Sequence, residues 1–120
     1  MYRILIVEDE KLIRQGIKTM VQRSGVTVEN ILECSNGLDA MEVLKSTKVD
    51  VMFTDIRMPK MDGIELVNAM QELPEIPLTV AVSGYDDFSY AVEMLRRDMK
   101  KVFVLKVQYF LLLKKCCLIQ

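Results

Sequence analysis

A chain of 120 residues, 51% hydrophobic and 28% charged, has the size and make-up of one globular domain with a single core. Its 16 basic and 17 acidic residues leave a net charge of -1, so no basic surplus argues for nucleic-acid binding by this segment. The lack of histidine excludes a Ser-His-Asp or Cys-His centre and any histidine-ligated metal.

The elements follow in chain order. Met1-Tyr2-Arg3 leads straight into Ile4-Leu5-Ile6-Val7, with no basic-then-apolar leader signal. That short, unbroken apolar run predicts a strand buried on both faces, and it stops at Glu8-Asp9-Glu10. Ile13, Ile17, Met20 and Val21 then recur at helical spacing. Ile31-Leu32, with Val26 and Val28 nearby, is a weaker run that suits an edge strand. Ser35 is the expected N-cap of a second helix, with Leu38, Met41 and Leu44 on one face.

Val51-Met52-Phe53 predicts a third buried strand, closed by Asp55. Asp62 with Glu65 three residues later is a capping-box variant opening a third helix along Ile64, Val67 and Met70. Pro74 and Pro77 bracket the break before Leu78-Thr79-Val80-Ala81-Val82, a fourth strand ending in Ser83-Gly84. Phe88, Ala91, Met94 and Leu95 suit a fourth helix, and Val102-Phe103-Val104-Leu105 a fifth strand followed by Lys106.

In the tail, Phe110, Leu113 and Cys117 have helical spacing but a very wide apolar face. An ordinary last helix, a face covered by a second subunit or absent domain, and a shifted reading frame all fit it. Cys117-Leu118-Ile119-Gln120 matches a C-a-a-X prenylation box, a four-residue pattern that chance produces readily. Cys34, Cys116 and Cys117 are odd in number and lack metal-ligand spacing, which fits a reducing, cytoplasmic compartment. No apolar stretch is long enough to cross a bilayer, so no membrane partner is expected.

Alternation of strands and helices predicts a parallel sheet with helices on both faces. Ligands of such sheets bind beyond the carboxyl ends of the strands. Glu8, Asp9, Asp55, Ser83 and Lys106 all fall at those ends. Clustered carboxylates repel unless a cation intervenes, and Mg²⁺ favours carboxylate, water and phosphate oxygens. A carboxylate can also act as a nucleophile toward phosphorus, with a hydroxyl and an ammonium holding the phosphoryl oxygens. Singly, each residue has a plainer reading: acids favour a helix's first turn, Ser-Gly a turn, and lysine the solvent. Jointly, on successive strand ends, they make a phosphoryl-acceptor set.

"ILIVEDE", "FTDIRMPKMDGIEL" and "VSGYDDFSYA" together resemble the receiver domain of bacterial two-component response regulators. The resemblance runs over about residues 2–97 of a single domain spanning 1–120; residues 98–120 are atypical. It implies a flavodoxin-like three-layer α/β/α sandwich whose five-stranded parallel sheet runs in the order 2-1-3-4-5. By the same match, Asp55 accepts a phosphoryl group from a partner histidine kinase, and the protein is a signalling phosphoacceptor rather than an enzyme. Glu8 and Asp9 position Mg²⁺ together with Asp55, and the backbone carbonyl of Arg57 is a further ligand. Ser83 is the switch hydroxyl, Lys106 the phosphate-contacting lysine and Phe103 the switch aromatic. Pro59 and Gly63 match the loop after the acceptor. The resemblance also implies a dimer or output surface on the fourth helix, fifth strand and fifth helix. The motifs look most like receivers of AraC-type transcriptional regulators, with DNA bound through a domain outside this chain.

The match weakens near the fifth strand. The family's lysine falls 22 residues after the switch hydroxyl, which here is Leu105, and Lys106 stands one later. One extra residue before the strand keeps Phe103 as the switch aromatic; otherwise Val102 takes that place. Val107 replaces the usual proline, and a cis bond before valine costs about 2.5–4 kcal/mol, so a trans bond is expected. These departures keep a second reading open, a degenerate receiver that binds partners without being phosphorylated. A third reading, a dehalogenase-type hydrolase, needs a second aspartate at position 57, where Arg57 stands.

Overall fold

The computed structural model describes residues 1–83 and 102–106. Within them, β1 (Tyr2–Val7), α1 (Lys11–Arg23), β2 (Val28–Cys34), α2 (Gly37–Ser46), β3 (Val51–Asp55), α3 (Gly63–Met70), β4 (Leu78–Ser83) and β5 (Val102–Lys106) follow in order. All strand pairs are parallel, and the sheet runs β2-β1-β3-β4-β5. The predicted fold class and strand order are therefore those observed.

The apolar runs explain the layering. Alternate residues of a strand face opposite sides, so a run apolar at every position is buried on both. Leu5, Val7 and Met52 face one side, where they pack with Ala40 and Met41 of α2 and with Leu66 and Met70 of α3. Ile4, Ile6 and Val82 face the other side, against Ile17 and Val21 of α1. Leu5, Ile6, Val7 and Met52 are fully buried, each contributing roughly 1.5–3 kcal/mol at most. That burial holds β1 and β3 at the centre, and the carboxyl ends of both strands open on one edge. The edge strand β2 is only partly buried, with Leu32 and Cys34 packed on the α2–α3 side and Val28 and Ile31 on the α1 side, and Glu29, Asn30 and Glu33 are exposed on it.

Two local expectations are corrected. The N-cap of α2 is Asn36, not Ser35: its side chain accepts the Asp39 amide at 2.9 Å and in turn donates to the Asp39 carboxylate at 2.9 Å. The apolar face of α2 is set by Ala40, Met41 and the partly buried Leu44, whereas Leu38, in the first turn, is 48% exposed. The third helix starts as expected. Asp62 and Glu65 form a reciprocal capping box, with 2.8 Å from the Glu65 amide to Asp62 and 3.3 Å from the Asp62 amide to Glu65.

The predicted fourth helix, the Lys106–Val107 bond, the tail and the C-a-a-X match lie outside the described residues. Among the described residues, no helix is long and apolar enough to cross a membrane.

Candidate functional site

β1 and β3 lie side by side, with Val7 in register with Thr54. The next residue on each strand is an acid, so the topology alone brings Glu8 and Asp55 together. Carboxylate oxygens of Glu8, Asp9 and Asp55 lie within 4.8 Å of one another. Their environments differ. Glu8 is 1% exposed, Asp55 is half-buried and Asp9 is exposed. Burial pushes the Glu8 carboxyl up to about 9, aided by a hydrogen bond with Asp55 and by the charges of Asp55, Asp9 and Glu10. Among the described residues, Glu8 Oε2 is buried without a hydrogen-bond partner.

A buried carboxylate oxygen without a donor, beside two more carboxylates, is a costly arrangement for a site of protein atoms alone. A hard divalent cation resolves it by supplying the missing positive charge to oxygen ligands. The donor set, all carboxylate oxygen with no nitrogen or sulfur, fits Mg²⁺.

The Asp55 carboxylate is oriented from its own strand end. The Ile56 amide donates to Asp55 Oδ1 at 2.8 Å, and the buried Thr54 hydroxyl donates to the Asp55 carbonyl at 2.9 Å. The following loop is closed tightly. The Met61 amide donates to the Pro59 carbonyl at 2.8 Å around Lys60, which takes a φ of 66°. The Met61 carbonyl accepts the Gly37 amide at 3.0 Å, and the Ile56 carbonyl accepts the Gly63 amide at 2.7 Å. Both glycines are forced by close approach. A Cβ at Gly37 would lie 2.5 Å from the Met61 carbonyl oxygen, and one at Gly63 would overlap the Asp55 carbonyl. Arg57 sits in this loop with an exposed side chain, between the two hydrogen-bonded closures.

On the other side, Ser83 ends β4 and Lys106 ends β5, and the two are in register. Leu105 pairs with Val82 and Phe103 with Val80. The backbone of Lys106, not that of Leu105, therefore lies opposite the strand end carrying Ser83. The side chains of Ser83, Phe103 and Lys106 lie outside the described residues.

Sequence reasoning missed three contributors. Arg14 donates to the Glu8 carbonyl at 2.7 Å, Thr54 braces Asp55, and Gly37 clamps the loop from α2. For Gly37, the signal was present in Asn36-Gly37 at a helix start, where a small residue permits close backbone contact.

Comparison with known proteins bears on the whole arrangement. The family model of the response regulator receiver domain matches residues 4–114. An uncharacterized response regulatory protein of Vibrio cholerae is 33% identical over 88 residues, covering 73% of this chain and 34% of that protein. The transcriptional regulatory protein YesN of Bacillus subtilis is 29% identical over 100 residues, 83% of this chain and 27% of that protein. The chain spans about a third of the length of the curated relatives it matches. Among solved structures, a two-component transcriptional regulator AraC from Clostridium phytofermentans is 28% identical with a TM-score of 0.73, covering 98% of this chain and 93% of that one. The receiver domain of AraT, a response regulator from Geobacillus stearothermophilus, is 31% identical with a TM-score of 0.66, covering 97% and 92%.

Proposed function

This chain belongs to the response regulator receiver domain family and is the receiver of a two-component system; from that premise we propose that Asp55 accepts the phosphoryl group of a partner histidine kinase. The observation that carries the reading is the meeting of Glu8, Asp9 and Asp55 within 4.8 Å, with Glu8 Oε2 buried and without a partner among the described residues.

Transfer forms a bond from an Asp55 carboxylate oxygen to phosphorus. The bond from phosphorus to the kinase imidazole nitrogen breaks, and that nitrogen keeps the electron pair and takes up a proton. The Ile56 amide holds Asp55 Oδ1 in place during attack, which limits the geometry to be searched. Receiver domains bind Mg²⁺ at an acidic pocket, and Glu8, Asp9, Asp55 and the Arg57 carbonyl would hold it here. When bound, the ion offsets the charge of the carboxylates and of the phosphoryl oxygens.

Ser83 donates its hydroxyl to a phosphoryl oxygen and Lys106 pairs with another, a reading supported by their facing positions in register. Movement of Ser83 toward the phosphoryl group shifts the segment after β4, and Phe103 turns inward to fill the space. Two packings of the surface formed by β5 and its flanking helices are thereby biased, controlling a homodimer or an output region. Relatives named as transcriptional regulators support a DNA-binding output carried outside this chain, in the cytoplasm. The chain itself turns over no substrate beyond slow loss of its own phosphoryl group.

Acetyl phosphate with Mg²⁺ is expected to label the wild type at position 55, seen as an added phosphoryl mass, and to leave Asp55→Asn unlabelled. Persistent labelling of the mutant removes Asp55 from this role. A folded wild type that takes no label, yet still captures its kinase, establishes the phosphorylation-independent interaction module that Val107, in place of proline, favours.

A further inference from the structure

The backbone that carries the acid pair is held from two sides. The Glu8 amide donates to the Cys34 carbonyl of β2 at 2.9 Å. The Glu8 carbonyl accepts Arg14 Nη1 at 2.7 Å, a charge-assisted bond reaching back from the first turn of α1. Arg14 is itself fixed, since its Nε donates to Glu33 Oε1 on β2 at 3.1 Å. Among the described residues, Arg14 makes no ion pair with Glu8, Asp9 or Asp55; its charged partner is Glu33. A planar guanidinium spans from a main-chain carbonyl to a carboxylate with two separate nitrogens in a fixed fork, whereas an ammonium must reach both acceptors from one nitrogen.

We propose that Arg14 is a positioning residue for the divalent-cation site: by tying the Glu8 carbonyl to α1 and to Glu33 of β2, it fixes the backbone from which Glu8 and Asp9 project. The proposal rests on the reading of that crevice as a Mg²⁺ site. It carries a sign that separates it from simple electrostatics. Arg14 is a cation close to an anionic crevice, so deleting its charge alone strengthens attraction for a second cation. Releasing the acid-pair backbone weakens binding instead, because ordering the ligands then becomes part of the cost of binding.

The test is calorimetric titration of Mg²⁺ into the whole chain, with far-UV circular dichroism and thermal melts in chelator for each variant. Arg14→Gln is expected to bind Mg²⁺ on the order of tenfold more weakly than wild type. Arg14→Lys keeps the charge but loses the fork, and falls between the two. Lys18→Gln is the control: Lys18 pairs with the same Glu33 at 3.5 Å yet has no bond to Glu8, so its affinity is expected to match wild type. If Arg14→Gln does not fold, Arg14→Lys decides the matter. Binding by a folded Arg14 variant as tight as wild type or tighter overturns the proposal, as does an equal loss in Lys18→Gln. Failure of the wild type to bind Mg²⁺ instead strikes the functional reading itself, and is visible in the first titration.

Discussion

The amide of Gly63 lies 2.7 Å from the carbonyl oxygen of Ile56, so the first residue of α3 is bonded to the residue directly after Asp55. The helix start and the strand end are in effect one unit. The space between them leaves no room for a side-chain carbon at position 63. Gly63→Ala must therefore move the backbone at Asp55 or push α3 away. We expect a loss of about 1–3 kcal/mol in urea denaturation, together with reduced labelling by acetyl phosphate. Unchanged labelling in this variant would show that the acceptor geometry does not depend on the closure.

Glu8 is a buried acid whose Oε2 lacks a donor among the described residues. With its carboxyl pushed up to about 9, it is protonated at neutral pH without the ion, so a neutral amide matches it there but is a poorer ligand for Mg²⁺. Glu8→Gln is expected to keep the melting temperature in chelator near the wild-type value at neutral pH and to shrink the further rise that saturating Mg²⁺ gives the wild type. Scanning calorimetry with and without Mg²⁺ reads both effects. A full Mg²⁺ response in the variant would take Glu8 out of the ligand set.

The capping box of α3 separates stability from chemistry. Asp62→Ala removes the acceptor for the Glu65 amide and is expected to cost about 1 kcal/mol in denaturant melts. The label yield of the folded fraction should stay at the wild-type level, because Asp62 caps a helix and is not among the carboxylates that converge on the crevice.

Two leucines give a matched test of the layering. Leu66 is fully buried against β1 and β3, and Leu66→Ala is expected to cost about 2–5 kcal/mol. Leu38 is 48% exposed, and Leu38→Ala should fall within about 0.5 kcal/mol of wild type. Similar costs for the two would contradict the observed face of α2.

Much of the fold was legible because apolar runs such as Ile4–Val7 carry their own explanation. Only a strand covered on both faces buries every position, and the acids that end these runs mark the edge where ligands bind. The convergence of Glu8, Asp9 and Asp55 could thus be read from strand order. Helix faces were less secure. Ser35 and Asn36 are both good caps, and Leu38 lies at the margin of the face that Ala40, Met41 and Leu44 form, so its spacing alone did not show that it is exposed. Contacts between a side chain and a distant main-chain carbonyl, such as Arg14 to Glu8, leave no periodic trace at all. Counting residues also failed to align Ser83 with Lys106, because the length of an intervening loop is not encoded in either motif; the strand register places them opposite each other.

The outermost strand has a consequence of its own. Among the described residues, β2 has a sheet neighbour on one side only, and the row of amides and carbonyls on its other side could template another copy of the chain. Glu29, held by Arg3 at 3.0 Å, and Glu33, shared by Arg14 and Lys18, put charge along that strand. Stacking a second molecule there would crowd like charges together and strip their water. The rim thus discourages fibril-type growth, and a variant neutral at Glu29 and Glu33 would be more prone to aggregate during refolding.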